Sequence, residues 1–220
     1  MEQERREMTF LLAEPERRLL RAIAARLPAW VRSNHLTGLG VFGALGTGVA
    51  YALTGHHAAW LAVASSMLAI NWFGDSLDGT LARVRGAERP RYGYYLDHVV
   101  DAFNTAVVGI GIGLSPYLRF ELALILVVLY LVLSINIYLE STVFGVFRMA
   151  YGRLGPTEVR IILVLANLAL ALVPAFLGGW LEWAVHGAAL ALAAAMLTVL
   201  AIRFGKNLHR LARLEPVNSR

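Results

Sequence analysis

Six long apolar runs constrain this chain more than any other feature. Each is close to the ~20 residues that a helix needs to cross ~30 Å of hydrocarbon, and 58% of all residues are hydrophobic. Because the bilayer core offers no water to the backbone, such runs span it as helices. The sequence therefore predicts an all-α, polytopic membrane protein with six transmembrane helices, at about Leu36–Leu53, His57–Phe73, Tyr94–Leu114, Phe120–Phe144, Val159–Leu177 and Trp183–Ile202.

The basic residues indicate how these helices are oriented. All of the 20 lysines and arginines except Arg119 lie before the first run, between the second and third, around the start of the fifth, or at the C-terminal end. Cytoplasmic loops retain basic residues, so both termini are predicted to be cytoplasmic, in a multi-pass protein of the cell (inner) membrane. The same rule accounts for the net charge of +5, so no nucleic-acid partner is expected.

Residues 1–35 form the predicted cytoplasmic N-terminal segment. Within it, one set of apolar residues recurs at helical spacing, and several arginines lie on the opposite face. The apolar residues are Leu19, Leu20, Ile23, Ala24 and Leu27. This pattern is typical of an amphipathic interfacial helix on an anionic leaflet; a solvated connecting helix is the alternative. Residues 36–205 are expected to form the six-helix transmembrane domain, which holds the site described next, and residues 206–220 a cytoplasmic C-terminal tail.

Four aspartates cluster near the cytoplasmic ends of two apolar runs. Asp75 and Asp78 end the second run three residues apart, and Asp97 and Asp101 lie four residues apart near the start of the third. Each pair therefore shares one helical face. Charged residues in membrane helices are tolerated mainly where they line a cavity or a site.

These carboxylates would repel one another unless cations neutralise them. The chain has no cysteine, so a metal must be held by oxygen or imidazole, and oxygen ligands favour Mg²⁺ or Mn²⁺ where phosphates share the coordination. The alternative is that the carboxylates pair with arginines of the intervening loop, which are Arg83, Arg85, Arg89 and Arg91.

Two glycines accompany the aspartates. Gly79 directly follows Asp78, and Gly93 precedes Asp97 by one helical turn. A missing Cβ lets a bulky ligand approach the backbone and the site. Helix packing is the alternative use of these two glycines.

The two aspartate pairs together resemble a family signature. The stretches Asp75-Ser-Leu-Asp78-Gly79-Thr-Leu-Ala82-Arg83 and Gly93-Tyr-Tyr-Leu-Asp97-His-Val-Val-Asp101 are similar to the motif D-x-x-D-G-x-x-A-R, spacer, G-x-x-x-D-x-x-x-D of the CDP-alcohol phosphotransferase (CDP-alcohol phosphatidyltransferase) family. All eight defined positions match, and the spacer of nine residues is one longer than usual.

Members of this family cleave the pyrophosphate of a CDP-linked donor, release CMP and pass the remaining phosphoryl unit to a hydroxyl. The resemblance implies two Mg²⁺ or Mn²⁺ ions held by Asp75, Asp78, Asp97 and Asp101. Asp97 and Asp101 would be catalytic, and Asp101 would serve as metal ligand, as general base toward the acceptor hydroxyl, or as both. Members of the family commonly form dimers through their membrane helices, so a homodimer is expected, with membrane lipids around it.

The resemblance also implies where the substrates lie. The CDP moiety is expected against Thr37, Gly79, Ala82, Arg83 and Gly93, and Thr37 is alternatively an ordinary N-cap. Candidates for the acceptor pocket are His98, Glu140, Arg148, Arg153, Glu158 and Arg160. For Pro156-Thr157-Glu158 the alternative is a helix start with an acidic first turn.

The substrate pair has two candidate assignments. The preferred donor is CDP-diacylglycerol, with a small polar alcohol as acceptor. The alternative is a CDP-choline or CDP-ethanolamine phosphotransferase acting on diacylglycerol or a similar lipid alcohol, because Asp97-His98-x-x-Asp101 and Thr157-Glu158 resemble that branch. A CDP-donor hydrolase is a further alternative, and an ion or proton-coupled transporter is the non-enzyme alternative.

Overall fold

The chain is built of helices and the short connections between them over the residues that the computed structural model describes, which are 12–144, 155–172 and 178–216. Within these ranges there are seven helices and no strand. The predicted all-α class is confirmed. The helices are α1 (Ala13–Ala24), α2 (Ser33–Leu53), α3 (Trp60–Val84), α4 (Pro90–Gly113), α5 (Phe120–Phe144), α6 (Pro156–Leu172) and α7 (Gly178–Leu214).

Three of the described helices are long and apolar enough to cross a membrane. They are Ser33–Leu53, Phe120–Phe144 and Gly179–Leu214. Helices α3 and α4 have 25 and 24 residues, which is long enough for a crossing, but they carry the four aspartates. The chain is therefore a membrane protein, and the count of six spans stays a prediction.

The helix bounds differ from the apolar runs in an instructive way. The second run was expected to end at Phe73, but α3 continues unbroken through both aspartates to Val84. Helix α4 begins at Pro90, before the expected start at Tyr94, because proline suits the first turn of a helix. Hydropathy falls where the carboxylates begin, whereas backbone hydrogen bonding continues past them.

Close glycine contacts join α2 to its neighbours, α3 and α4. A Cβ on Gly74 would collide with the backbone of Gly40, and a Cβ on Gly111 would collide with that of Gly48. Small residues allow such close approach, which supplies the van der Waals packing that associates membrane helices. Because Gly74 immediately precedes Asp75, this contact holds the aspartate-bearing part of α3 directly against α2.

Helix α1 packs on α3. Its buried Leu20 and Ala24 join Leu77 and Leu81 of α3 in one apolar cluster. Part of the apolar face of α1 is therefore covered by protein, while Leu19 is 51% exposed. An interfacial position for the helix stays a prediction.

The turn after α1 is held from the other side by an arginine. Arg85, which follows α3, donates to the main-chain carbonyls of Leu27 at 3.0 Å and Pro28 at 2.9 Å, and also to that of Val31. The Arg85 guanidinium is thus engaged by main-chain carbonyls, which differs from the alternative in which it neutralises an aspartate.

Candidate active site

Four helices meet at one end of the bundle around the aspartates. Asp75 and Asp78 lie in the second half of α3, and Asp97 and Asp101 lie in the first half of α4. Asp101 lies within electrostatic reach of the other three aspartates. Its carboxylate is repelled by those of the other three aspartates and attracted by Arg160, from the first turns of α6. The two halves of the sequence motif therefore form one cluster.

Asp78 is held by α2 and by its own helix. The Thr37 hydroxyl donates to Asp78 Oδ2 at 2.6 Å, and the Gly79 N–H lies 2.5 Å from Asp78 Oδ1. Thr37 lies inside α2, whose N-cap residue is Arg32, so the alternative that Thr37 is an N-cap is wrong. Its expected role toward the nucleotide stays a prediction, and its position beside Asp78 is compatible with that role.

Asp75 forms an ion pair with Arg160. The Arg160 Nη2 atom donates to Asp75 Oδ2 at 2.6 Å, and both side chains are mostly buried. Arg160 Nε also donates to Asn71 Oδ1 at 2.9 Å, and Asn71 Nδ2 donates to the Gly40 carbonyl at 2.9 Å. One chain of hydrogen bonds therefore links α6, α3 and α2. The partner of Asp75 is an arginine of α6 rather than one of the loop arginines considered above.

Asn71 and Asn104 are polar residues of this region that the sequence interpretation missed. Asn71 lies one helical turn before Asp75, and Asn104 lies one turn after Asp101. Asn104 is 7% exposed, and neither its Oδ1 nor its Nδ2 has a hydrogen-bond partner. Their spacing of four and three residues from an aspartate is the signal that could have identified them.

Gly79 and Gly93 border open space rather than a packed helix. A Cβ on Gly93 would meet nothing within 4 Å, and one on Gly79 would meet only the Arg83 guanidinium, at 3.4 Å or more. The helix-packing alternative is therefore wrong for these two glycines. Arg83 lies beside Gly79, and Ala82 is half-buried one turn after Asp78.

The candidate acceptor residues are scattered. His98 packs between α4 and α5, with ring centroids 4.1 Å from Tyr94 and 4.4 Å from Tyr138. Glu140 is bound by α7: Arg203 donates to its two oxygens at 3.1 and 2.8 Å, and Asn207 donates at 2.6 Å. Of the remaining candidates, Arg148 and Arg153 lie outside the described residues.

Glu158 belongs to the start of α6. Its Oε2 accepts the Gly155 N–H at 2.9 Å, and its Oε1 accepts the Leu12 N–H at 2.9 Å. A glutamate in the third helical position that reaches back to the N-cap amide is half of a capping box. The helix-start interpretation of Pro156-Thr157-Glu158 is thus confirmed, and an acceptor role for Glu158 stays a prediction.

The fit of divalent cations to the aspartate cluster depends on its geometry and on its oxygen ligands. Within the described residues, no three Asp, Glu or His side chains form a ready-made metal cage, because Asp75 turns to Arg160 and Asp78 to Thr37. The chemistry of the set nevertheless fits Mg²⁺ or Mn²⁺. Four clustered carboxylates repel one another, and the buried amide of Asn104 adds a partnerless oxygen near Asp101.

Comparisons with known proteins bear on the family to which this chain belongs. The family model described as CDP-alcohol phosphatidyltransferase matches residues 30–202. No curated protein matches the sequence significantly. In fold, the chain is similar to the crystal structure of Mycobacterium tuberculosis phosphatidylinositol phosphate synthase (PgsA1) with CDP-DAG bound, with a TM-score of 0.57 and 20% identity over 83% of this chain and 94% of the other. The chain therefore belongs to the CDP-alcohol phosphatidyltransferase family and is a membrane-bound CDP-alcohol phosphotransferase of phospholipid biosynthesis.

Proposed function

We propose that this enzyme transfers a phosphatidyl unit from CDP-diacylglycerol to the hydroxyl of a small polar alcohol and releases CMP. The observation that carries the proposal is the convergence of both aspartate pairs at one end of the bundle, with Arg160 and Thr37 in direct contact with them. A family signature scattered over the surface would not support this chemistry.

The donor pyrophosphate is assigned to the side of the cluster where Gly79 and Gly93 leave space. Arg83 stands beside Gly79, and a guanidinium binds phosphate oxygens through paired N–H groups. The open backbone at Gly93 would admit the cytidine and its ribose, and Thr37 donates to the Asp78 oxygen that Gly79 does not contact. These contacts would hold the pyrophosphate so that the phosphorus of its phosphatidyl half faces the aspartates.

The transfer step forms one bond and breaks another. The acceptor oxygen bonds to the phosphatidyl phosphorus while the bond from that phosphorus to the CMP oxygen breaks, and Asp101 takes the hydroxyl proton. Two Mg²⁺ or Mn²⁺ ions held by Asp75, Asp78, Asp97 and Asp101 would supply neutralisation of the phosphoryl oxygens and of the departing phosphate. Alignment of the two substrates by the surrounding helices contributes the rest.

Two observations support a lipid donor with a small acceptor. The mycobacterial protein of similar fold holds CDP-DAG, and two of the groups that would attract a choline-like cation are already engaged. Arg89 lies over the Tyr92 ring at 3.9 Å, and Arg203 pairs with Glu140. This engagement disfavours the CDP-choline alternative.

The proposal extends to the placement of the enzyme. We place it in the cell (inner) membrane with six spans, with its active site and both termini facing the cytoplasm, because the basic residues lie almost entirely on one side. Residues 36–205 form the catalytic domain, and residues 1–35 and 206–220 flank it on the cytoplasmic side. We expect a homodimer and an interfacial position for the exposed, arginine-bearing face of α1.

A product assay tests the substrate assignment. Purified enzyme with Mg²⁺ is given either CDP-diacylglycerol with a panel of polar alcohols and their phosphates, or CDP-choline and CDP-ethanolamine with diacylglycerol. We expect CMP and a new phospholipid, identified by mass, from the first mixture alone. Product from the second mixture alone would overturn the assigned donor. Release of CMP without any phospholipid that contains the added alcohol would instead identify a hydrolase.

A further inference from the structure

The Glu16 carboxylate connects three helices. Its Oε1 accepts hydrogen bonds from Trp72 Nε1 at 2.6 Å, from Thr157 Oγ1 at 2.7 Å and from Ser76 Oγ at 3.3 Å. Trp72 and Ser76 belong to α3, and Thr157 belongs to the first turn of α6. A charged acceptor makes stronger hydrogen bonds than a neutral one, so this single residue of α1 ties α3 to α6.

A second carboxylate completes the connection from the opposite direction. Glu158 of α6 is 7% exposed and accepts the main-chain N–H of Leu12, directly before α1. Glu16 of α1 thus contacts the first turn of α6, and Glu158 of α6 contacts the residue before α1. The start of α6 is therefore held by α1 through two contacts that are distant in sequence.

This junction borders the aspartate cluster. Trp72 and Ser76 flank Asp75 along α3, and Thr157 precedes Arg160 by three residues on α6. Arg160 is the residue that bonds to Asp75 and Asn71. A shift of the α6 start away from α3 would withdraw the Arg160 guanidinium from Asp75.

We propose that Glu16 is a positioning residue, whose carboxylate holds the start of α6 against α3 so that Arg160 meets Asp75 in the site. The inference rests on the proposed function, because it takes the aspartate cluster to be where transfer occurs. Glu16 touches neither substrate nor aspartate in this account. It acts through Thr157 and, along the helix, through Arg160.

The test compares three variants in lipid nanodiscs. Glu16→Ala removes the shared acceptor, Glu16→Gln keeps an acceptor oxygen at the same place, and Glu14→Ala is the matched control on the same helix, since Glu14 is exposed and pairs only locally with Arg18. We expect kcat per folded enzyme to fall by about 10-fold to 100-fold in Glu16→Ala, as a misplacement of about 1 Å can produce. The KM for the CDP-linked donor should change much less, Glu16→Gln should recover most of the rate, and Glu14→Ala should match the parent.

Amide hydrogen exchange separates positioning from mere stability and needs no substrate. Peptides covering residues 155–165 should exchange faster in Glu16→Ala than in the parent at a temperature well below unfolding, while peptides of α5 are unchanged. If Glu16→Ala fails to fold, Thr157→Val, which removes only the contact to α6, should give the same pattern. Parental kcat together with parental exchange in α6 would overturn the proposal, and so would a loss of activity that only follows the folded fraction. If no CDP-linked donor is cleaved by the parent, the proposed function fails, and exchange in α6 still decides whether Glu16 holds that helix.

Discussion

The four motif aspartates occupy different surroundings although their residue type is the same. Asp75 faces a guanidinium and Asp78 a hydroxyl and a main-chain N–H; Asp78 is repelled by two of the other carboxylates and Asp101 by all three. Removal of any one carboxylate therefore has its own consequence. A shared role as metal ligands and a separate role as general base can be distinguished by substituting them one at a time.

Asparagine substitutions test this division of roles. Asp97→Asn should lower kcat by at least about 100-fold, as loss of charge stabilisation at a reacting centre does, and should weaken Mg²⁺ binding. Asp101→Asn should retain Mg²⁺ binding but lose transfer. Activity is measured as CMP release. Metal binding is measured with Mn²⁺ in place of Mg²⁺, by titration followed with electron paramagnetic resonance. Glu121→Gln is the control, because Glu121 is exposed and pairs with Arg119. Near-parental turnover in both aspartate variants would contradict the assigned site.

At the scale of the element, the apolar runs predicted which segments are helical but not where the helices end or what they touch. Hydropathy marks the lipid-compatible part of α3, and the aspartates that follow it are polar while still helical. The motif spacing placed four carboxylates on two helical faces correctly. The pairing of Asp75 with Arg160 and the Glu16 junction join residues 85 and 141 positions apart, and no periodic pattern in a single sequence encodes such contacts.

Two glycines of neighbouring helices should respond to alanine in opposite ways. Gly74→Ala places a Cβ against the Gly40 backbone, so we expect a loss of about 1–3 kcal/mol in the free energy of unfolding, as for other overpacked sites. Gly93→Ala meets no atom within 4 Å and should keep or raise stability, because alanine favours a helix over glycine.

The kinetic result for Gly93→Ala is the more informative one. Its new methyl group would occupy space assigned to the donor, so the KM for the CDP-linked donor should rise while the unfolding temperature in detergent does not fall. An unchanged KM would show that Gly93 does not border the donor. Comparison with Gly74→Ala identifies any effect that arises from destabilisation alone.

At the scale of the whole molecule, the candidate site lies at one end of the helix bundle. The site draws on the start of α2, the end of α3, the start of α4 and the start of α6. An even number of crossings with α3 and α4 joined on the cytoplasmic side would bring these four segments together. The sequence predicts this arrangement from its basic residues, because many of them lie before α2, between α3 and α4 and around the start of α6, next to the four segments of the site.

Reporter fusions test that orientation. Fusions at Gly86 and at Arg220 should both report the cytoplasm, and a fusion at Gly179 should report the external side. A paired reporter, with alkaline phosphatase active outside and a fluorescent protein active inside, makes each position its own control. A cytoplasmic signal at Gly179 would contradict the six-span arrangement.

The proposed mechanism requires a divalent cation at the aspartate cluster for the release of CMP from a CDP-linked donor. The most direct measurement is CMP release by the purified enzyme before chelation, after EDTA, and after Mg²⁺ or Mn²⁺ is restored in excess, with Asp97→Asn run alongside. We expect CMP release to stop in EDTA, to return with either cation and to stay low in the variant throughout. Undiminished CMP release in the chelator would contradict the mechanism.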